Sequence, residues 1–361
     1  MIIYYILLLV ISGFGIICFW NGTTQKANKI FVIGSFFFIF ILQALRKESV
    51  GVDVPTYVQA FHKIRELPWD ECRLYDWEPL FAYLNKLVGT YTNSYSVFLS
   101  IVSVIILLGF GYFIYQNSSN TFWPVFLFIT LDHMFVSMYS LRQYCAIAIS
   151  INIYTILRKG TSVKAYIKAV TLLIIAMMFH TTAIICVLFI AVFMLGKISK
   201  NRILLFVLTG LLATFFFDHA VELFLEIFPR YAYYRDSNLS IFQGAEIRNI
   251  DFIYDVVKLL SLFIMWKFNY KEDENQSILK LILLSSIAVI ISLLVVKVKI
   301  VWRFTFYFDA FLILLLPKII DKIKFHRGAA YAGLYIFGIL YFSYIMLLNG
   351  GKCVPYLFFW T

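Results

Sequence analysis

A handful of polar residues stand out from an otherwise apolar chain, and their types suggest a chemistry. Arg46, Arg142, Arg230, Arg248 and Arg303 carry planar guanidinium groups that match phosphate or carboxylate oxygens two at a time. His180, in "MMFHTTA", is of the one residue type whose intrinsic pKa lies near neutrality. Asp53, in "GVDVP", sits in a turn that Gly51 allows to bend sharply and Pro55 stiffens. An anionic ligand is the simplest thing that would hold so many cations together.

Taken singly, each of these residues has a plainer explanation. A lone arginine at the end of a membrane span snorkels to the interface, and a lone histidine is more often a hydrogen-bonded core residue than a catalyst. Tyr231, Tyr233 and Tyr234 fit an interfacial aromatic belt, and Lys297 and Lys299 fit simple snorkelling. Their joint occurrence is harder to dismiss, because ionisable residues at a membrane edge are functional candidates by default.

The elements that must position them follow from composition. The chain has 361 residues, 62% hydrophobic and only 14% charged, with a mean hydropathy of +0.85. Soluble domains carry about 25% charged residues. Apolar runs long enough to span a bilayer recur along the whole length, and they are continuous rather than alternating, which excludes a membrane β-barrel. The fold class is therefore all-α: a polytopic integral membrane protein, read as one transmembrane domain over 1–361. Spans are expected near 1–20, 30–45, 94–115, 122–139, 141–157, 165–179, 181–196, 203–225, 251–268, 277–296, 303–317 and 329–348. The pairs at 122–157 and 165–196 read either as tight hairpins or as long kinked helices, so ten to twelve spans are expected. The N-terminal run has no basic segment and no small-residue cleavage site and reads as a retained span.

The net charge of +11 does not point to nucleic acid, because the bases are scattered through short loops. With the N-terminus outside, the inner loops carry Lys26 and Lys29, Arg158, Lys159 and Lys164, Lys197, Lys200 and Arg202, Lys267 and Lys271, and Lys318, Lys322, Lys324 and Arg327. Segment 46–78 then lies outside with seven acids against five bases. Outer loops are expected at 46–93 and 226–250. They hold short amphipathic helices, one with Tyr57, Phe61 and Ile64 on a single face. Arg46, Asp53, Arg142, His180, Arg230, Arg248 and Arg303 all fall on the outer face, where basic residues run against the usual charge bias. Cys18, Cys145 and Cys186 lie in apolar runs as packing residues. Cys72 and Cys353 fall on one side, and no metal-type Cys/His spacing occurs.

The stretches "RKESVGVDVPTYVQAF", "WEPLFAYLNKL", "SLRQYCAIAI", "FHTTAI" and "WRFTFYF" occur in that order. This pattern resembles the EpsG-like group of Wzy-type bacterial polysaccharide polymerases over about Arg46 to Pro317. Val54 departs from it, where the family usually has Thr or another small polar residue after the Asp. The resemblance implies a membrane glycosyltransferase of GT-C-like architecture in the cytoplasmic (inner) membrane. Such an enzyme joins undecaprenyl-diphosphate-linked oligosaccharide units into O-antigen, capsule or exopolysaccharide on the outer face. The implied partners are the lipid-linked donor and acceptor and membrane lipid, with a chain-length regulator as a further candidate and no nucleic acid. No cofactor and no metal is expected: arginines would meet the diphosphate charge, with Arg142 and Arg303 first and Arg46 next. Arg230, Arg248 and Tyr233 are further substrate-binding candidates, and Tyr231, Tyr234 and Trp302 offer rings for sugars. His180 and Asp53 both remain candidates for the base; Asp53 has the alternative task of orienting an arginine or the acceptor sugar. Other readings of the same outer-face chemistry are a flippase for lipid-linked units, an O-antigen-type ligase and a membrane acyltransferase.

Overall fold

The computed structural model describes residues 1–217, 275–295 and 301–360, together with scattered helical positions between 219 and 264. The described residues are helical apart from turns and one isolated β-bridge. By its internal contacts the chain divides into two compact units, Met1–Val187 with Ile323–Thr361, and Leu188–Lys322.

The first unit opens with α1 (Ile2–Phe19) and α2 (Gln25–Ala44). Thr24 starts α2 by accepting a hydrogen bond from the Ala27 amide at 3.1 Å, satisfying one of the donors that a helix start leaves unpaired. After the Gly51 turn come two short helices, α3 (Val54–Glu66) and α4 (Pro79–Tyr91), each with a proline in its first turn. Tyr57, Phe61 and Ile64 are buried along one side of α3, as their spacing predicts. The long α5 (Tyr95–Asn117) follows.

The apolar run 122–157 is a broken hairpin. It comprises α6 (Phe122–Thr130), α7 (His133–Tyr139), α8 (Leu141–Ser150) and α9 (Asn152–Lys159). Asp132 breaks the first leg with a left-handed backbone (φ 71°), and α6 and α7 meet at 54°. The reversal lies at Ser140. His133 Nδ1 lies 3.1 Å from the Tyr144 hydroxyl and ties the two legs together, so this buried histidine is a core residue. The next leg is α10 (Val163–Phe179), capped by Ser162. It stops at His180, whose extended backbone (φ −159°, ψ 121°) cannot continue a helix. A 3-10 segment, Thr181–Cys186, turns the chain back. The last helix of the unit spans Arg327–Leu348, and residues 349–360 fold back over the 45–52 loop.

Two sets of hydrogen bonds mark the two ends of this bundle. At one end Asn28 binds Ser119 and Thr121, and Arg158 and Lys159 bind Gln116. At the other end Arg46 binds Met138, Tyr4 binds Cys353, and Glu78 gathers residues 142 and 180. The basic short loops of this unit and the candidate site residues are therefore at opposite ends, as the charge bias predicts. Helix contact between the ends is close. A Cβ at Gly109 would collide with the Ala148 carbonyl, so only glycine lets α5 approach α8 this tightly. Large apolar side chains such as Leu9, Ile16, Ile17, Ile167 and Ile336 are exposed, as expected where the solvent is lipid.

The second unit contains α11 (Val187–Met194, beginning one residue upstream of the division), α12 (Lys200–Phe215), α13 (Gln276–Val295), α14 (Trp302–Asp309) and α15 (Leu312–Ile320). Phe189 packs edge-on against Phe308 and Phe311. The Gln276 side-chain amide pairs with both the N–H and the C=O of Ile198.

Five of the described helices are long and apolar enough to cross a membrane, or six if α6 and α7 form one span. The protein is a multi-pass all-α membrane protein. The other described spans expected from sequence are shorter or broken helices. The five cysteines are free thiols, and Cys145 and Cys186 are buried in packing as their apolar setting predicts.

If the end bearing Glu78 faces outward, Asp76→Cys should react with a membrane-impermeant maleimide in intact cells, while Gly160→Cys should react only after permeabilisation. Both positions are exposed and lie at opposite ends. The reverse labelling would invert the orientation.

Candidate active site

Glu78, one of the seven acids of segment 46–78, lies at the centre of the candidate site. Glu78 precedes Pro79, and the ring of a following proline disfavours the helical region. Glu78 accordingly has an extended backbone (φ −59°, ψ 139°) just before α4 begins. Arg142 lies in the first turn of α8, directly after the Ser140 reversal, and His180 ends α10. Three breaks in helical structure thus bring three ionisable side chains to one end of the bundle.

The contacts divide the two carboxylate oxygens between partners. Arg142 Nη1 donates to Glu78 Oε2 at 2.6 Å. His180 Nδ1 lies 2.8 Å from Oε1, and the Thr181 backbone N–H donates to the same oxygen at 3.0 Å. The Glu78 side chain is only 8% exposed, against 12% for His180 and 23% for Arg142. Arg142 is therefore the member most open to an incoming molecule. Its guanidinium lies over the Trp77 ring, 4.9 Å from the centroid, and Trp77 is wedged among Tyr57, Tyr75 and Phe81.

Burial alone would raise the pKa of Glu78. The hydrogen bonds from His180 and the Thr181 N–H, with the charge of Arg142, outweigh it and hold the pKa down at about 2. Glu78 is then ionised at neutral pH and can only accept hydrogen bonds. His180 must carry a proton on Nδ1 to satisfy it. In the neutral ring that leaves Nε2 as the lone-pair nitrogen, fixed in direction by the carboxylate behind it. A carboxylate orienting a histidine that faces a reacting group is a recurrent way to build a general base.

Asp53 borders the same region. It is exposed at the N-terminus of α3, and its charge and that of Arg142 both act on the Tyr57 hydroxyl one turn along the helix. Arg46 corrects the sequence expectation. Its side chain is 0% exposed, with Nη1 donating to the Gln43 carbonyl and Nη2 to the Met138 carbonyl at 2.7 Å. A guanidinium sealed against main-chain carbonyls cannot touch a substrate in this structure. Arg303 is exposed on the first turn of α14 in the second unit, beside Trp302, which is itself half-buried against Phe306. Arg230, Arg248, Tyr231, Tyr233 and Tyr234 lie outside the described residues.

Glu78 does not stand out in the sequence, because its partners are 64 and 102 residues away. The available signal was local: an acid between Trp77 and Pro79, immediately before an apolar helix, inside one of the motif stretches.

The depressed pKa has a stability consequence with a defined sign. A carboxylate held below its ordinary value stabilises the fold above that value and loses the contribution as pH falls through the folded pKa. Glu78→Gln should therefore lower stability at pH 7 by about 3 kcal/mol, since it breaks a buried pair. The gap to wild type should close between pH 4.5 and about 2, read from melting temperatures in detergent. A gap independent of pH in that window would mean that Glu78 is not held ionised.

No curated protein and no solved structure matches the chain. A family model, described as the EpsG family, matches residues 29–358, which include Asp53, Glu78, Arg142, His180 and Arg303. With that match covering most of its length, the chain belongs to the EpsG family.

Proposed function

We propose that this protein is a polysaccharide polymerase. In this reading it transfers a glycan from undecaprenyl diphosphate to the sugar hydroxyl of a second lipid-linked unit, on the outer face of the cytoplasmic membrane. Family membership supports the polymerase class. The observation that carries the chemistry is the Glu78 carboxylate shared by His180 and Arg142.

The step needs a base and a cation in separate places. The acceptor hydroxyl attacks the anomeric carbon of the donor and its proton passes to Nε2 of His180. The anomeric C–O bond breaks and both its electrons leave with the diphosphate. Negative charge grows on the leaving oxygen, and a guanidinium at the mouth of the site meets it. Arg142 suits that task because it is the most exposed member and its planar group is braced by Trp77. Glu78 does not take the proton; it keeps Nδ1 protonated and stabilises the imidazolium that forms. Asp53, exposed across Tyr57, takes the orienting of the acceptor sugar in this reading. Arg303 is a further candidate for the donor diphosphate. In this reading cationic side chains take the part that a metal ion plays in many sugar transferases.

His180→Gln should lower kcat by about 100-fold or more with little change in donor binding, the loss expected of a general base. Arg142→Ala should remove long polymer from cells while single lipid-linked repeats accumulate. Normal chain-length ladders in Arg142→Ala, or wild-type turnover by purified His180→Gln, would overturn these roles. Deleting the gene separates the reading from that of a flippase: a polymerase mutant retains one-unit surface product, whereas loss of every surface product indicates translocation.

A further inference from the structure

Arg46 is buried with its charge, and among the described residues no carboxylate pairs with it. Main-chain carbonyls take that place. One guanidinium nitrogen donates to the Gln43 carbonyl, closing the end of α2, and the other donates to the Met138 carbonyl, four residues before Arg142. Tyr4, Tyr95, Tyr356 and Cys353 surround it as neutral groups, and its Nε is buried with no hydrogen-bond partner among the described residues. A buried cation is costly unless its hydrogen bonds are made, and losing one partner leaves groups unsatisfied in a dry interior.

The same region is crossed by the C-terminal segment. Residues 349–360 run antiparallel to the 45–52 loop. Lys47 N–H donates to the Leu357 carbonyl and Phe359 N–H to the Leu45 carbonyl, with Arg46 opposite Phe358. Gly51 N–H and Val52 N–H donate to the Lys352 and Gly351 carbonyls at 3.0 and 2.8 Å. The Tyr4 hydroxyl holds the Cys353 carbonyl, and the Tyr356 hydroxyl donates to the Leu42 carbonyl at 2.9 Å. Asn349 closes the strap on itself through Val354.

These pieces converge on the reversal that presents Arg142. Gln43 Nε2 donates to the Ser137 hydroxyl at 2.7 Å, next to the Arg46 contact with Met138. Gly51 has φ +116°, and a Cβ there would press on the Met138 carbonyl and Tyr139 Cβ, each 3.2 Å away. A Cβ at Gly351 would strike the Tyr139 ring. Residues 137–139 are therefore clamped between the 43–52 segment on one side and the strap on the other, both without room to spare.

We propose that Arg46 is a positioning residue: with the C-terminal strap of residues 349–360 it holds the 137–142 reversal, and thereby sets where Arg142 meets Glu78. The strap's two hydrogen bonds to Gly51 and Val52 fix Asp53 by the same means. The role assigned to Arg46 rests on the glycosyl-transfer reading above, but the mechanical link between the strap and the reversal does not.

Two variants and two readouts test it. Arg46→Lys keeps a charge but cannot reach two carbonyls with a planar fork, and Tyr356→Phe removes a single tie of the strap. In purified, monodisperse protein, Arg46→Lys should lower kcat about tenfold with donor KM within about twofold of wild type, and Tyr356→Phe should do the same more weakly. Amide hydrogen exchange of segment 137–146 should be about tenfold faster in both variants and in a chain truncated after Asn349. Unchanged kcat per folded molecule in Arg46→Lys, even with reduced yield, would make Arg46 purely structural and overturn the positioning role. Unchanged exchange of 137–146 after truncation would overturn the strap. If wild-type protein itself transfers no glycan, the functional reading fails, and the exchange experiment alone still decides the mechanical link.

Discussion

One buried carboxylate has to be satisfied from three directions, and the site is arranged around that requirement. Glu78 is nearly inaccessible to water, so its charge survives only because Arg142, His180 and the Thr181 amide reach it. None of these groups can arrive unless a helix stops at the right place. Residue 78 is kept extended by the proline that follows, residue 142 begins a helix after a tight reversal, and residue 180 ends one. The three interruptions are costly in an apolar bundle, where every unpaired backbone group is exposed to a poor solvent. The ion cluster is what they gain.

The same arrangement keeps the histidine and the arginine on separate oxygens of one carboxylate. A histidine facing a cation directly would be a weaker base, and an arginine without an anion nearby would be harder to bury. With Glu78 between them, His180 keeps its Nδ1 proton and Arg142 stays charged over Trp77 while still partly open. Arg46 illustrates the opposite solution: a cation that among the described residues has no acid beside it, held by two main-chain carbonyls, and withdrawn from any ligand by its burial. Two arginines that look alike in sequence thus have different surroundings, one partly open beside Glu78 and one sealed against the carbonyls of residues 43 and 138.

The C-terminal segment adds a long-range element to a bundle otherwise built from neighbours. Residues 349–360 pair with residues 45–52 across almost the whole sequence, and the first helix joins them through Tyr4. The chain's two ends and its second loop are therefore fastened together at the end of the bundle where Glu78 lies. A membrane bundle has little hydrophobic drive to hold its helices in one arrangement, because lipid is as apolar as its side chains. Main-chain hydrogen bonds and close glycine contacts do that work instead.

Hydropathy alone determined that this chain crosses a membrane as helices, because a bilayer demands long apolar runs with internally paired backbone. Charge bias likewise separated the two ends of the bundle, and the unusual polar residues identified His180, Arg142 and Asp53 as neighbours of one face. The ordered motifs gave the family. Only the tertiary structure decided which of them meet. Glu78 looked like one acid among seven in an acidic loop, since nothing local distinguishes a solvated carboxylate from one whose partners lie 64 and 102 residues away. Arg46 looked like a ligand contact, since a sequence does not show that its guanidinium is sealed against carbonyls from residues 43 and 138. Residue type and spacing fix what a side chain can do, but the depth and company that decide what it does are set by contacts between distant segments.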